Sequence, residues 1–344
     1  MSCEAVIEAR NLSIGYRRNG RTVKCVHKNL SFSLYSGQLT CLLGPNGAGK
    51  STLLRTLSAS QKALAGEWRL NGKPANRYSE RELSRWIGLV LTDRTFAGGL
   101  RVSELVSLGR YPHTGFLGRL SVQDEEQVQR AMEQVGIADK AHSYVAQLSD
   151  GERQKVMIAK ALAQECPVVL LDEPTAFLDV VSRIEMMNLL HDLAVKQQKT
   201  ILLSTHDLEQ ALQLADRLWL LSRTEGLVCG NTEDMVLSNA IDRFFKKGDI
   251  SFDTLTGSFR PAVSGSIKVA VEAKNAELLF WMKNALTRND FLACEWGDPE
   301  AEYSLRVSSA QKIEIYHWTI LQTVAPDVGH TLYVLNKETK PCPK

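Results

Sequence analysis

The sequence predicts an α/β protein: a largely parallel sheet covered by helices on both faces, followed by a smaller α+β domain. Three observations carry this. Short apolar strands alternate with amphipathic helices through the first two-thirds of the chain, which is the pattern of parallel strands joined by helical crossovers. At 344 residues the chain is long for one core and comfortable for two. Near residue 245 that pattern stops, and a second one begins at about 266.

In chain order, residues 5–44 read as strands, with VIEARNLSIGY and KNLSFSLYSGQLTCLLG alternating between Gly and Asn breaks. TLLRTLSAS is helical, and GEWRLNGKP is a strand running into an Asn71-Gly72 turn. The stretch 81–146 is richer in helix, and ERQKVMIAKALAQE at 152–165 is an amphipathic helix. PVVLLDEP is a buried strand, 180–197 a helix, TILLSTHD a strand and LEQALQLA a helix. Residues 246–265 read as a connector with one or two short strands. Within 266–338, SIKVAVEA, FLACEWG, YSLRVS and HTLYVLNK read as strands, and AELLFWMKNAL and KIEIYHWTILQTV as helices. That order, βαββαβ, is ferredoxin-like. Trp281 and Trp318, both on predicted helices, are expected in the core. Residues 339–344 form a tail.

Composition narrows the function classes. Lys and Arg total 41 against 39 Asp and Glu, a net charge of +2, so no bulk basic field calls for nucleic acid. The longest apolar runs, such as VVLL at 168–171, fall far short of the ~18 residues that span a bilayer. The N-terminus lacks the apolar core of a secretory signal, so the expected site of folding is the cytoplasm. Seven scattered cysteines (Cys3, Cys25, Cys41, Cys166, Cys229, Cys294, Cys342) without CxxC spacing read as reduced thiols.

Two motifs carry chemistry. GPNGAGKST at 44–52 fits G-x-x-x-x-G-K-[ST], follows an apolar strand and opens a helix. Gly44, Gly47 and Gly49 let the backbone curl so that successive N–H groups face one centre and take phosphate oxygens. Lys50 then bridges the β- and γ-phosphates, Ser51 gives its hydroxyl to Mg²⁺, and Thr52 bonds a phosphate. VVLLDEP at 168–174 ends an apolar strand in two carboxylates, where ligands meet parallel sheets. Asp172 is expected on Mg²⁺ through water, and Glu173 as the general base on the attacking water.

With those motifs in place, LSDGERQKV at 148–156 resembles the signature motif of ATP-binding-cassette (ABC) ATPases, a P-loop NTPase family. AFLD at 176–179 is similar to its D-loop, with Asp179, and STHD at 204–207 to its switch, with His206. Tyr16 in LSIGY stands where the family stacks an aromatic ring on adenine. The resemblance runs over residues 1–245 and implies a mixed sheet with a helical subdomain, ATP and Mg²⁺ as ligands, and a homodimer. Each nucleotide would lie between one subunit's phosphate loop, Asn46 included, and its partner's Ser149 and Gly151, with Asp179 nearby. His206 would hold the γ-phosphate and water alongside Glu173. Two positions depart from the pattern: Thr92 stands where a Gln is usual, with Asp93 beside it, and Asp150 stands within the signature's usual Gly pair.

LRVSELVSLGRYPHTGFLGRL at 100–120 resembles the importer subgroup that takes up iron–siderophores, haem or cobalamin. The resemblance therefore implies an ATP-hydrolysing importer subunit, peripheral on the cytoplasmic face of the cell membrane. Its partners would be membrane permeases and, indirectly, a substrate-binding protein. Alternatives are a cassette ATPase acting on a non-transport partner and an ATP-dependent regulatory module. The C-terminal hundred residues lie outside the resemblance and carry no ligand constellation.

Overall fold

The computed structural model describes residues 5–18, 22–91, 99–115, 118–245, 248, 250–261, 265 and 267–339. Thr92 and Asp93 lie outside the described residues, as do Cys3 and Cys342. The chain divides into two compact units, Met1–Lys246 with Phe252–Phe259, and Lys247–Ser251 with Arg260–Lys344.

The first unit begins with β1 (Ala5–Arg18) and β2 (Thr22–Tyr35), an antiparallel pair, followed by β3 (Leu39–Leu43) and α1 (Lys50–Leu57). β4 (Ala65–Leu70) pairs with β1 and with the two-residue β5 (Lys73–Pro74). Asn71 (φ 48°) and Gly72 (φ 73°) are both left-handed, as a tight type I′ hairpin turn requires. Then come α2 (Glu80–Trp86), β6 (Ile87–Val90), α3 (Val102–Ser107), α4 (Val122–Gln134) and α5 (Asp150–Ala163). The unit continues with β7 (Val168–Asp172), α6 (Val180–Gln197), β8 (Thr200–Ser204), α7 (Leu208–Leu214), β9 (Arg217–Ser222) and β10 (Gly226–Asn231). α8 (Thr232–Leu237) and α9 (Ala240–Phe245) lead to the hairpin β11 (Ile250–Asp253) and β12 (Ser258–Pro261).

Two sheets organise this unit. One has the order β2-β1-β4-β5. The other has the order β10-β9-β3-β8-β7-β6 and is parallel throughout except for the β10–β9 edge. Every residue of β3, β7 and β8 is buried, so these strands are apolar on both faces and read as continuous runs. Their side chains divide by alternation. Leu42, Leu170 and Leu202 point into a core shared with α1 and the antiparallel sheet, alongside Leu53, Leu57, Ile14 and Leu34. Cys41, Leu171 and Leu203 point into the opposite core, with Val106, Met132, Ile158, Met187 and Leu190. Each fully buried Leu contributes about 1.5–3 kcal/mol, so the two cores fix the strand ends that carry the motifs. Burial also pushes the Cys166 thiol up to about 11, in keeping with an inert packing thiol.

α3, α4 and α5 pack on one another as a helical layer. Arg110, buried in the LGRYPH segment, ties it together. Its guanidinium donates to Asp124 Oδ1 (2.8 Å), Glu165 Oε2 (2.6 Å) and the Ala163 carbonyl (2.7 Å). His113 Nε2 reaches the Gln164 carbonyl at 2.9 Å, and Arg81 and Arg85 donate to the Pro112 carbonyl. The segment is therefore a clamp between α2, α4 and the end of α5, with Tyr111 left exposed.

The second unit is a five-stranded sheet with two helices, small and α+β as expected. Its elements are β13 (Ile267–Ala273), α10 (Ala276–Arg288), β14 (Phe291–Glu295), β15 (Tyr303–Ser309), β16 (Lys312–His317), β17 (Ile320–Ala325) and α11 (Val328–Thr339). The sheet order is β14-β13-β15-β16-β17, with β14, β13 and β15 parallel and the rest antiparallel. The element order is thus βαββββα and not the ferredoxin-like βαββαβ. KIEIYHWTILQTV forms two strands instead of a helix, because Ile313 and Ile315 are buried while Glu314 and Tyr316 face away, a period of two. The turn between them is made by Trp318 in the left-handed region (φ 53°), a role that a bulky residue does not advertise. HTLYVLNK lies in a helix whose buried residues, Thr331 and Leu335, are four apart, and whose first turn is held by the Asp327 carboxylate accepting from the His330 N–H. Neither tryptophan is in the core: Trp281 is 62% exposed and Trp318 57%.

Candidate functional site

The phosphate loop joins the C-terminal end of β3 to α1. Gly44 admits no side chain, since a Cβ there would meet the Leu221 carbonyl oxygen at 2.2 Å. Gly47 (φ 73°) and Gly49 (φ 106°) take left-handed backbone, which only glycine adopts at little cost. Lys50, 6% exposed, reaches back to donate to the Gly44 carbonyl at 2.9 Å. Its Nζ lies 3.1 Å from His206 Nε2 and 3.9 Å from Glu173 Oε1. Burial pulls its ammonium below the usual lysine value, and the nearby Glu173 and Asp172 carboxylates push back. Ser51 is half-buried behind it, and Asn46 is exposed on the loop. Thr52 is buried, and its Oγ1 lies 2.8 Å from the Tyr16 hydroxyl on β1.

The acidic pair stands at the end of β7, where β7–β8 pairing sets Asp172 opposite Ser204. Ser204 Oγ donates to Asp172 Oδ1 at 2.7 Å and accepts from the Glu173 N–H at 3.0 Å. Glu173 then turns out of the strand with φ 49°, an uncommon conformation for glutamate. Its Oε1 comes to 2.7 Å from His206 Nε2. Strands β3, β7 and β8 thus bring Lys50, Glu173 and His206 within hydrogen-bond or ion-pair reach of one another. Ser204, which bonds the Asp172 carboxylate and the Glu173 backbone, was quoted in the sequence only as part of STHD; its role comes from strand register.

Ser149 and Gly151 open α5. Ser149 forms a reciprocal cap with Glu152, accepting from the Glu152 N–H (3.3 Å) while the Glu152 carboxylate accepts from the Ser149 N–H (2.9 Å). Ser149 and Asp150 are exposed, so this helix start faces outward rather than into its own protomer. The groups nearest Gly151 are Leu178 and Ser182, which sets it beside the 176–179 turn. Asp179 caps α6 by accepting from the Ser182 N–H at 2.9 Å. Around it Phe177 (69% exposed), Val180, Val181 and Ile184 form an apolar patch that spacing alone did not reveal.

The arrangement provides a concave loop of backbone donors with a buried cation at its rim. Beside it stand a carboxylate that can take a proton from water and an imidazole that holds that carboxylate. Such a site suits hydrolysis of a phosphoanhydride.

Comparison with known proteins agrees with this chemistry. The family described as ABC transporter matches residues 27–176. The chain is 37% identical over 241 residues to the ferric enterobactin transport ATP-binding protein of Escherichia coli K12, covering 70% of this chain and 87% of that protein. It is 34% identical over 240 residues to the iron(3+)-hydroxamate import ATP-binding protein of Bacillus subtilis 168, with 70% and 87% covered. Among solved structures, it is similar to an inward-facing transporter described as of metal-chelate type (TM-score 0.61, 26% identity, 75% of this chain and 96% of that one). It is also similar to a dimeric ATP-binding cassette in a post-hydrolysis state with ADP and Pi (TM-score 0.58, 26% identity, 66% and 98%).

Proposed function

The chain belongs to the ABC transporter ATPase family, and on that premise we propose that it energises an importer of a metal chelate, such as an iron–siderophore, haem or cobalamin. The observation that carries the reading is the Lys50–Glu173–His206 constellation beside the glycine loop. The named roles of the relatives, ferric enterobactin and iron(3+)-hydroxamate transport, support the cargo class. Among the described residues no helix is long and apolar enough to cross a membrane, so partner permeases would supply the path. The chain would work as a peripheral subunit on their cytoplasmic side, with a substrate-binding protein delivering cargo from outside.

In this reading ATP sits with its phosphates on the N–H groups of residues 47–52 and its adenine against Tyr16. Lys50 neutralises charge on the β- and γ-phosphates. Glu173 takes a proton as water oxygen bonds to the γ-phosphorus. The bond from that phosphorus to the bridging oxygen breaks, giving ADP and phosphate. His206 keeps the Glu173 carboxylate in place and bonds the γ-phosphate. The residues also fit Mg²⁺: Ser51 stands half-buried in the first turn of α1 and Asp172 buried at the end of β7, and hydroxyl and carboxylate oxygens are donors that this ion takes together with phosphate and water. Ser51 and Asp172 would be its protein contacts, and the ion would supply charge neutralisation at the phosphates.

A second copy completes the site. Its exposed Ser149 and half-buried Gly151 would close over the γ-phosphate, and the apolar patch around Asp179 would be covered in that dimer. Affinity purification from membranes tests the reading. A polytopic permease retained with the chain supports transport, whereas retention of ribosomes or DNA with no permease overturns it.

A further inference from the structure

We propose that His27 is a positioning residue of the phosphate loop, holding the 48–49 peptide so that the Gly49 N–H faces the phosphates. His27 lies on β2, outside every motif, and is 6% exposed. Its Nε2 is 2.5 Å from the Ala48 carbonyl oxygen. A carbonyl only accepts, so Nε2 carries the proton and donates.

A peptide is planar and trans, so its N–H points opposite to its C=O. Fixing the Ala48 carbonyl toward β2 aims the Gly49 N–H away from β2, on the other side of the loop. The same imidazole closes off the space behind Gly49, where a Cβ would stand 2.7 Å from Val26 Cγ1 and 3.2 Å from the His27 ring. The neighbouring peptide is gripped as well: Arg223, after β9, donates from Nε to the Gly47 carbonyl at 3.1 Å, and the Ala48 N–H donates to the Pro45 carbonyl at 3.1 Å. Two side chains, one on β2 and one just after β9, thus hold two consecutive carbonyls of the loop.

The consequence is pre-organisation. A loop whose donors are already aimed does not draw on binding energy to order itself when the nucleotide arrives. Packing alone would be served by leucine, since a buried polar group is costly unless bonded.

The inference rests on the ATPase reading, and the experiment separates the two. Equilibrium binding of MgATP is measured for wild type, His27→Leu and His27→Gln, with urea midpoints for each. The Gln amide nitrogen reaches about as far as Nε2, so His27→Gln keeps the donor. The expected result is about tenfold weaker binding in His27→Leu without a matching loss of urea midpoint, and recovery to within about threefold of wild type in His27→Gln. Wild-type binding by His27→Leu would overturn the role, as would equal losses in both variants that track their stability. Wild type that binds no nucleotide would overturn the ATPase reading itself. Should His27→Leu fail to fold, ¹⁵N-histidine NMR of the wild type decides: a protonated Nε2 is required, and a bare Nε2 refutes the proposal.

Discussion

The Tyr16 hydroxyl lies 2.8 Å from Thr52 Oγ1, so the aromatic side chain of β1 is tied to the helix that opens at the phosphate loop. Tyr16 is 42% exposed, leaving much of the ring available to a base. Ring and hydroxyl can be separated by substitution. Tyr16→Phe should bind ATP within about threefold of wild type, while Tyr16→Ala should weaken binding by roughly 3- to 10-fold, the worth of one aromatic stack. Nucleotide titrations check this, and equal affinity of Tyr16→Ala and wild type would remove Tyr16 from the adenine site.

Glu173 should be the proton acceptor. Glu173→Gln is expected to lower ATP turnover by about 10²- to 10⁴-fold while leaving ATP bound, and to accumulate a dimer in sizing experiments with MgATP. Adding Val181→Asp to that variant should return it to monomer, because the charge would enter the apolar patch beside Asp179. Turnover at the wild-type rate in Glu173→Gln would disqualify it as the base.

The buried Arg110–Asp124 pair should show in stability rather than chemistry. Removing the cation by Arg110→Met strands a buried carboxylate, at an expected cost of about 3–5 kcal/mol in urea unfolding. The Ser121 side-chain and backbone hydrogen bonds, and then Arg110, hold the Asp124 carboxyl down at about 2. A carboxyl depressed in the folded state stabilises above its unfolded pKa and stops doing so as pH falls towards the folded one. The stability lead of wild type over Asp124→Asn should therefore be full at pH 6 and shrink between about pH 4 and pH 2. A lead that stays constant over that range would contradict the linkage.

Chain truncation should depend on where the cut falls. Phe252 and Phe259 pack edge to face at 5.3 Å, and Phe245 meets Phe259 at 6.0 Å, all within the first unit. We expect a chain ending after Pro261 to remain a folded ATPase with near-native melting. A chain ending at 246 should melt earlier, because burial of Phe252 alone is worth about 1.5–3 kcal/mol. Identical melting of the two would show that the hairpin contributes nothing.

Much of the site could be read in one dimension because its parts are local. A glycine loop between a strand and a helix needs particular residues at fixed spacing, and GPNGAGKST supplies them wherever the helix later points. Asp172 and Glu173 announce themselves by ending an apolar run. The same locality explains the errors in the second unit. Over thirteen residues without Gly or Pro, KIEIYHWTILQTV satisfies a helical and a stranded period alike. The choice fell to pairing with β15 and to a tryptophan in an unexpected turn.

Residue spacing by itself predicted a phosphate-binding loop at 44–52, an acidic pair ending a buried strand, and the alternation of strands and helices through much of the first unit. Only the tertiary structure decided that Ser204 joins the Asp172 carboxylate to the Glu173 backbone, that Glu173 and His206 meet at 2.7 Å, and that His27 stands behind the loop. The reason is sequence distance. His27 is 21 residues from Ala48, and Ser204 is 31 from Glu173. Contacts at such range follow from sheet order and register, which no local pattern encodes.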